Sequence, residues 1–364
     1  MMNTSPKKEK LSRLLYSGWF HLFIFLVALG FMIKPLQRAI FDMVLWQNLI
    51  NNVDHRLTED PKKNINSEGI RSYHTSDYYK EEDFNIIFAG DSFAYGLGMP
   101  IEGAPPFQLE KQLRNYFHRE DINVINFGWS SSSPYLSLRL LQDLGKAYKP
   151  DVVIFLLDLT DFKDDWFYKN ILHKTGHYRF LIEHPYLGYL VRSIARETDS
   201  FTGWYQELMG FPDWSTYFTV HQPYEKSEPF FNNVYESLLE MNSFTENELH
   251  APLFVFSAPR HWQYTDKESP NSWEAHAFVV KGPYALNNFI WMDKVSATAP
   301  FPMVSLLKDF QNTEVFPTTF EDDSHWNQAG ANVAATAIFR HCLKLNCFEK
   351  LLKTNPDQEL QTEK

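Results

Sequence analysis

Cysteine is scarce in this chain: there are two, Cys342 and Cys347, among 364 residues. A disulfide between them needs an oxidising compartment, and five residues apart within one helix is poor bridge geometry, so two free thiols are the equal alternative. Basic charge is also short. The net charge is −11, which excludes a nucleic-acid partner, because phosphate binding requires a basic face. No Cys/His spacing of a zinc site occurs. His173 and His177 in HKTGH are four apart, but Gly176 and the lack of a nearby acid argue against a metal. No cofactor motif and no internal repeat is present.

Long apolar runs are absent except for one. Residues 14–33, LLYSGWFHLFIFLVALGFMI, contain no Asp, Glu, Lys or Arg, and His21 is the ionisable exception. A helix of 20 residues at about 1.5 Å per residue spans the roughly 30 Å hydrocarbon layer. Lys7, Lys8, Lys10 and Arg13 precede it against a single Glu9, so residues 1–13 carry +3 and the remainder −14. The expectation is a cytoplasmic tail (1–13), a single-pass anchor of the inner (cytoplasmic) membrane (14–33), and a domain on the periplasmic or extracellular side. A cleaved signal peptide, with Ala28 and Gly30 near its end, and a buried core helix are the competing readings. Residues 34–82 read as a juxtamembrane helix and polar spacer.

What the chain has in plenty is apolar and aromatic residues, 44% and 16%, enough for a large core. Short apolar runs alternate with helical periodicity over residues 83–350. NIIFA (85–89), NVINF (123–127), DVVIFLLD (151–158) and PLFVFSAP (252–259) read as strands. FQLEKQLRNYFHRE (107–120), YLSLRLLQDLGKAY (135–148), PFFNNVYESLLEMNSF (229–244) and AGANVAATAIFRHCLKL (329–345) read as helices. The pattern predicts an α/β fold, a mainly parallel sheet covered on both faces in a three-layer α/β/α sandwich. An aromatic-rich insertion at about 162–227 caps it, and 351–364 is a polar tail.

Ligands of open parallel sheets sit at the carboxyl ends of strands. GDSFAYGLG, FGWSSSSP, LDLTDFKDD and APRHWQ leave those ends here. The serine run 130–133 reads as a loop and N-cap ahead of Pro134. Arg260, His261 and Trp262 read as a loop, or as a rim for substrate. Ser92 in the first stretch is a nucleophile candidate that needs a base. FEDDSHWNQAG supplies His325, with Asp322 three residues earlier as its orienting acid and Asp323 as the adjacent alternative. Candidate oxyanion donors are the backbone N–H groups of Ser92 and of Gly128.

Gly90-Asp91-Ser92, the turn at Gly128 in VINFGWS, and Asp322 with His325 in DDSHWN together resemble the spaced blocks of the SGNH/GDSL hydrolase family. The resemblance covers roughly residues 84–345. It implies a flavodoxin-like three-layer fold and ester hydrolysis or acyl transfer. It assigns Ser92 as nucleophile, His325 as base, Asp322 as orienter and Gly128 as an oxyanion donor, with no cofactor. The family's Gly-x-Asn-Asp block is missing. Asp158-Leu159-Thr160-Asp161 stands there, with Thr160 in place of the asparagine donor. The resemblance extends to membrane-anchored envelope proteins, many of which act on O-acyl groups of cell-surface polysaccharides, so an acylated glycan or small ester is the expected substrate. Loss of turnover, leaving a glycan- or partner-binding domain, is the alternative. Nothing in the sequence sets the oligomeric state.

Overall fold

In the computed structural model, the described residues are 18, 21–25, 59–172 and 218–354. The chain divides into two compact units, residues 1–52 with 174–212 and residues 53–173 with 213–364. The sheet and the helices that cover it belong to the second unit. The described part of the expected anchor, residues 18 and 21–25, is helical. Among the described residues no helix is long and apolar enough to cross a membrane. The rest of residues 14–33, and His173 with His177, lie outside the described residues.

Five strands form one parallel sheet: β1 (Phe84–Gly90), β2 (Ile122–Gly128), β3 (Val152–Leu157), β4 (Leu253–Ser257) and β5 (Met303–Ser305), in the order β2-β1-β3-β4-β5. Every residue of β1 to β4 is buried, because helices cover both faces. The two-residue period of a strand sorts the side chains. Ile87, Ala89, Val153, Phe155 and Val255 enter one core, Ile86, Phe88, Ile154, Leu156 and Phe254 the other. β5, at three residues, is too short for periodicity to reveal, and the sequence reading missed it.

Among the described residues from 59 onward, the α-helices in chain order are α1 (Ser92–Tyr95), α2 (Pro105–Phe117), α3 (Pro134–Leu144), α4 (Asp161–Leu172), α5 (Tyr224–Phe244), α6 (His261–Tyr264), α7 (Trp273–Ala277), α8 (Asn287–Ser296), α9 (Leu307–Gln311), α10 (Gln328–Lys344) and α11 (Glu349–Thr354). α3, α5 and α8 supply the first core, through residues such as Leu141, Val234 and Trp291. α2 and α10 supply the second, through Leu109, Leu113, Ala334 and Ile338. Cys342 and Cys347 are free and buried. α4 runs from Asp161 into the stretch expected to be a cap without periodicity.

Residues 59–82, expected as spacer, are part of the domain. Ile65, Ile70, Arg71 and Tyr79 are buried. The reason is Arg71, whose guanidinium bonds the carbonyls of Tyr95, Gly96 (3.0 Å) and Met99 (2.6 Å) and lies 4.3 Å from the centre of the Tyr95 ring. Those carbonyls close the C-terminal end of α1, where a cation satisfies groups that the helix leaves unpaired.

Candidate active site

The strand order reverses direction at β1, whose neighbours β2 and β3 lie on opposite sides. The crevice at the carboxyl ends of β1 and β3 is therefore the switch point at which such sheets bind ligands. Ser92 follows β1 and Thr160 follows β3, one on each side of it.

β1 leaves the sheet through Gly90 at φ 147°. A Cβ there would stand 2.6 Å from the Leu156 carbonyl oxygen, so only glycine lets the chain pass β3 this closely. Asp91 caps α1, its Oδ1 accepting the Phe93 N–H at 2.9 Å. Ser92 is then the first helical residue, and its own N–H has no acceptor within the helix. Gly128, on β2, faces this short helix. A Cβ on it would run into the backbone of Ala94 and Tyr95.

The base arrives from the loop before α10. Asn327 caps that helix, accepting the N–H groups of Ala329 (2.9 Å) and Gly330 (3.1 Å), and its side-chain amide donates to the carbonyls of Pro317 and Thr319. The buried Glu268 accepts the backbone N–H and hydroxyl of both Thr318 and Thr319. Trp326 packs edge-on against Phe93 with centroids 4.8 Å apart, and the Phe93 and His325 rings lie 5.0 Å apart. These contacts bring His325 Nε2 to 2.8 Å from Ser92 Oγ.

On its other side His325 Nδ1 is 2.5 Å from Asp323 Oδ1. That is a correction to Asp322, which lies exposed one position upstream. A spacing of three puts two side chains together on a helix, but this loop is not helical. Asp323 instead makes a two-residue turn, Oδ1 also accepting the His325 backbone N–H at 3.0 Å. Its bond to His325 holds the Asp323 carboxyl below its ordinary pKa.

Two expected oxyanion donors have other partners. The Gly128 N–H donates to Asn126 Oδ1 at 2.9 Å. What this position requires of glycine is room for α1. Thr160 donates both its N–H (3.0 Å) and its hydroxyl (2.6 Å) to Asp158 Oδ2. The serine run behaves as read: Ser133 Oγ caps α3 by accepting from Leu136, while Ser131 takes a left-handed φ of 63°.

The Asp158–Asp161 block holds the architecture behind the serine. Arg260 bonds Asp158 through Nε (2.9 Å) and Nη2 (2.5 Å), and Glu274 through Nη1 (2.6 Å). Its guanidinium carbon is 4.8 Å from the centre of the Phe93 ring. Arg260, His261 and Trp262 are all buried, so they form neither a loop surface nor a rim. Burial pushes the Asp158 carboxyl up, but Arg260 outweighs it and holds Asp158 ionised. Asp161 Oδ2 accepts the Asp158 N–H at 2.7 Å; burial, then the charges of Asp91 and Asp158, raise its pKa far above the usual range. Arg260 lies 102 residues from Asp158 in the chain and Glu274 further still, and no local pattern announces the pairing. Among the described residues no group of His, Cys, Asp and Glu could hold a metal.

No family model and no curated protein matches the chain. Its fold is similar to that of solved structures. TesA is 13% identical, with 71% of this chain and 97% of that one covered and a TM-score of 0.39. A lipase/acylhydrolase from Enterococcus faecalis is 14% identical over 71% and 95%, with a TM-score of 0.42. A carbohydrate acetylesterase family member from Sinorhizobium meliloti is 17% identical over 71% and 96%, with a TM-score of 0.37.

Proposed function

We propose that this chain is an SGNH/GDSL-type serine esterase or O-acyltransferase, anchored in the membrane by residues 14–33 and acting on acyl esters such as those of envelope polysaccharide. The observation that carries the reading is the relay Asp323–His325–Ser92, with its 2.5 Å and 2.8 Å contacts at the switch point of the sheet. Asp323 accepts the hydrogen bond of the Nδ1–H group and so leaves Nε2 free to accept the proton of Ser92. Ser92 Oγ attacks the acyl carbon as that proton moves to Nε2, and the imidazolium then returns it to the departing alcohol. Water or a sugar hydroxyl, deprotonated by the same nitrogen, releases the acyl group. In this reading the Ser92 N–H at the start of α1, which has no acceptor within the helix, is the oxyanion donor.

The test is a fluorophosphonate probe applied to membranes of cells expressing the full chain. Labelling should appear in the membrane fraction, resist a carbonate wash, and vanish in Ser92→Ala. Ser92→Ala should also abolish hydrolysis of a short p-nitrophenyl ester. Labelling that survives Ser92→Ala overturns the nucleophile, and labelled protein in the soluble fraction overturns the anchor.

A further inference from the structure

Asp91 stands beside the nucleophile, is 1% exposed, and has no part in the relay. Its Oδ2 lies 3.2 Å from Ser92 Oγ and 3.3 Å from Thr160 Oγ1. Counting protons among these oxygens decides which one donates. With the Nδ1 proton held by Asp323, Nε2 of His325 is bare, and Ser92 gives its single hydroxyl proton to Nε2. Thr160 also has one hydroxyl proton, and its contact with Asp158 Oδ2 is far shorter, at 2.6 Å. Asp158 already accepts two guanidinium N–H groups and is the ionised carboxylate of the set. Neither hydroxyl therefore has a proton left for Asp91. If Asp91 were ionised, three oxygens would face one another with no hydrogen between them around a buried carboxylate. A proton on Oδ2 supplies the one donor these oxygens lack, available to Ser92 Oγ or to Thr160 Oγ1, and Oδ1 still accepts the Phe93 N–H.

We infer that Asp91 works as a neutral carboxylic acid whose Oδ2 proton faces Ser92 and Thr160, and that its ionisation turns the seryl nucleophile off. The charged groups around it agree. Asp158 approaches from the end of β3, Asp161 and Asp164 from α4, Arg260 from the segment before α6, and His325 from the loop before α10. Arg260 is the fixed cation among them, and Asp158 and Glu274 already claim it. Burial, then the charge of Asp158, raises the Asp91 pKa to about 7, with Arg260 and His325 acting in the opposite direction.

The consequence is a catalytic role in the reaction proposed above. Neutral Asp91 leaves the serine proton to His325. It also puts an O–H between Ser92 and Thr160, where the Asp158–Asp161 block has no amide. Ionised Asp91 competes with His325 for the serine proton. It also sets a negative charge 3.2 Å from the oxygen that must attack a carbonyl and load it with charge of the same sign.

The activity arm of this inference rests on the esterase reading; the protonation arm does not, and two measurements separate them. The first is kcat/KM of the full chain on p-nitrophenyl acetate against pH, followed at the isosbestic wavelength. Above the Asp91 titration the wild type should fall about tenfold per pH unit. Asp91→Asn keeps a cap for Phe93 and a donor toward Ser92. Whatever its absolute rate near pH 6, Asp91→Asn should lose the alkaline fall. An alkaline fall of equal steepness in Asp91→Asn overturns the inference. The second is the infrared difference spectrum, wild type minus Asp91→Asn, near pH 6. A protonated-carboxyl C=O band is expected, and a carboxylate band alone overturns the inference whether or not the chain hydrolyses esters. If the ester and the fluorophosphonate are both inert at every pH, the esterase reading fails, and the infrared band still decides the state of Asp91.

Discussion

An imidazole between a carboxylate and a hydroxyl can present a lone pair to only one of them. In this site Asp323, at 2.5 Å, accepts the Nδ1–H of His325, so the lone pair on Nε2 faces Ser92. A neutral amide at that position no longer fixes the tautomer, and loss of such an orienting charge slows acyl transfer by about 10⁴-fold. Asp323→Asn should therefore lower kcat on a p-nitrophenyl ester by that order, while Asp322→Asn should stay within about twofold, as exposed substitutions away from a site do. Steady-state kinetics of the two variants decides between adjacent carboxylates. The presence of an acid near His325 was legible in DDSH. Which acid serves was not, because it depends on a two-residue turn in a loop held by Glu268 and Asn327.

The short helix α1 has four residues, too few to be stable alone, and its position is imposed by its neighbours. Gly90 lets β1 pass β3, Gly128 makes room on β2, and Arg71 binds the carbonyls at the far end. Gly128→Ala would drive a methyl group into the Ala94–Tyr95 backbone. Overpacking of this kind costs about 1–3 kcal/mol. A shift of Ser92 by about 1 Å costs on the order of 10²-fold in rate. A lowered urea midpoint together with that drop in kcat/KM is the expected result. Unchanged activity would mean that the helix adapts. The glycines of the first block are visible in the sequence as turn residues. Arg71 is not, because it lies well upstream of them in a stretch whose polar composition reads as spacer, and only its buried contacts with α1 show that the domain starts before β1.

The molecule as a whole buries carboxylates of opposite character around one arginine. Asp158 is held ionised, whereas Asp91 and Asp161 have raised pKa values. A raised carboxyl is protonated in the fold at a pH where the unfolded chain has already lost the proton. Its contribution to stability is complete below the unfolded value of about 4 and is lost as pH climbs toward the folded value. Asp161→Asn removes that pH-dependent loss and keeps an acceptor for the Asp158 N–H. Thermal melts should show Asp161→Asn gaining on the wild type between pH 5 and pH 8. A difference independent of pH would show that Asp161 is ionised in the fold.

Apolar runs of the right length, separated by helical periods, were enough to determine four strands, their parallel arrangement and the edge where chemistry gathers. Local hydrophobic patterning carries that information, and burial on both faces reinforces it. The same patterning located Ser92 and His325, because each sits in a short stretch with its own turn chemistry. Only the tertiary structure decided which acid holds His325, that Gly128 and Thr160 have partners other than an oxyanion, and that Arg260 is buried between Asp158 and Glu274. Hydrogen bonds are allocated by distances between segments as far as 233 residues apart, and a sequence records the residues but not those distances.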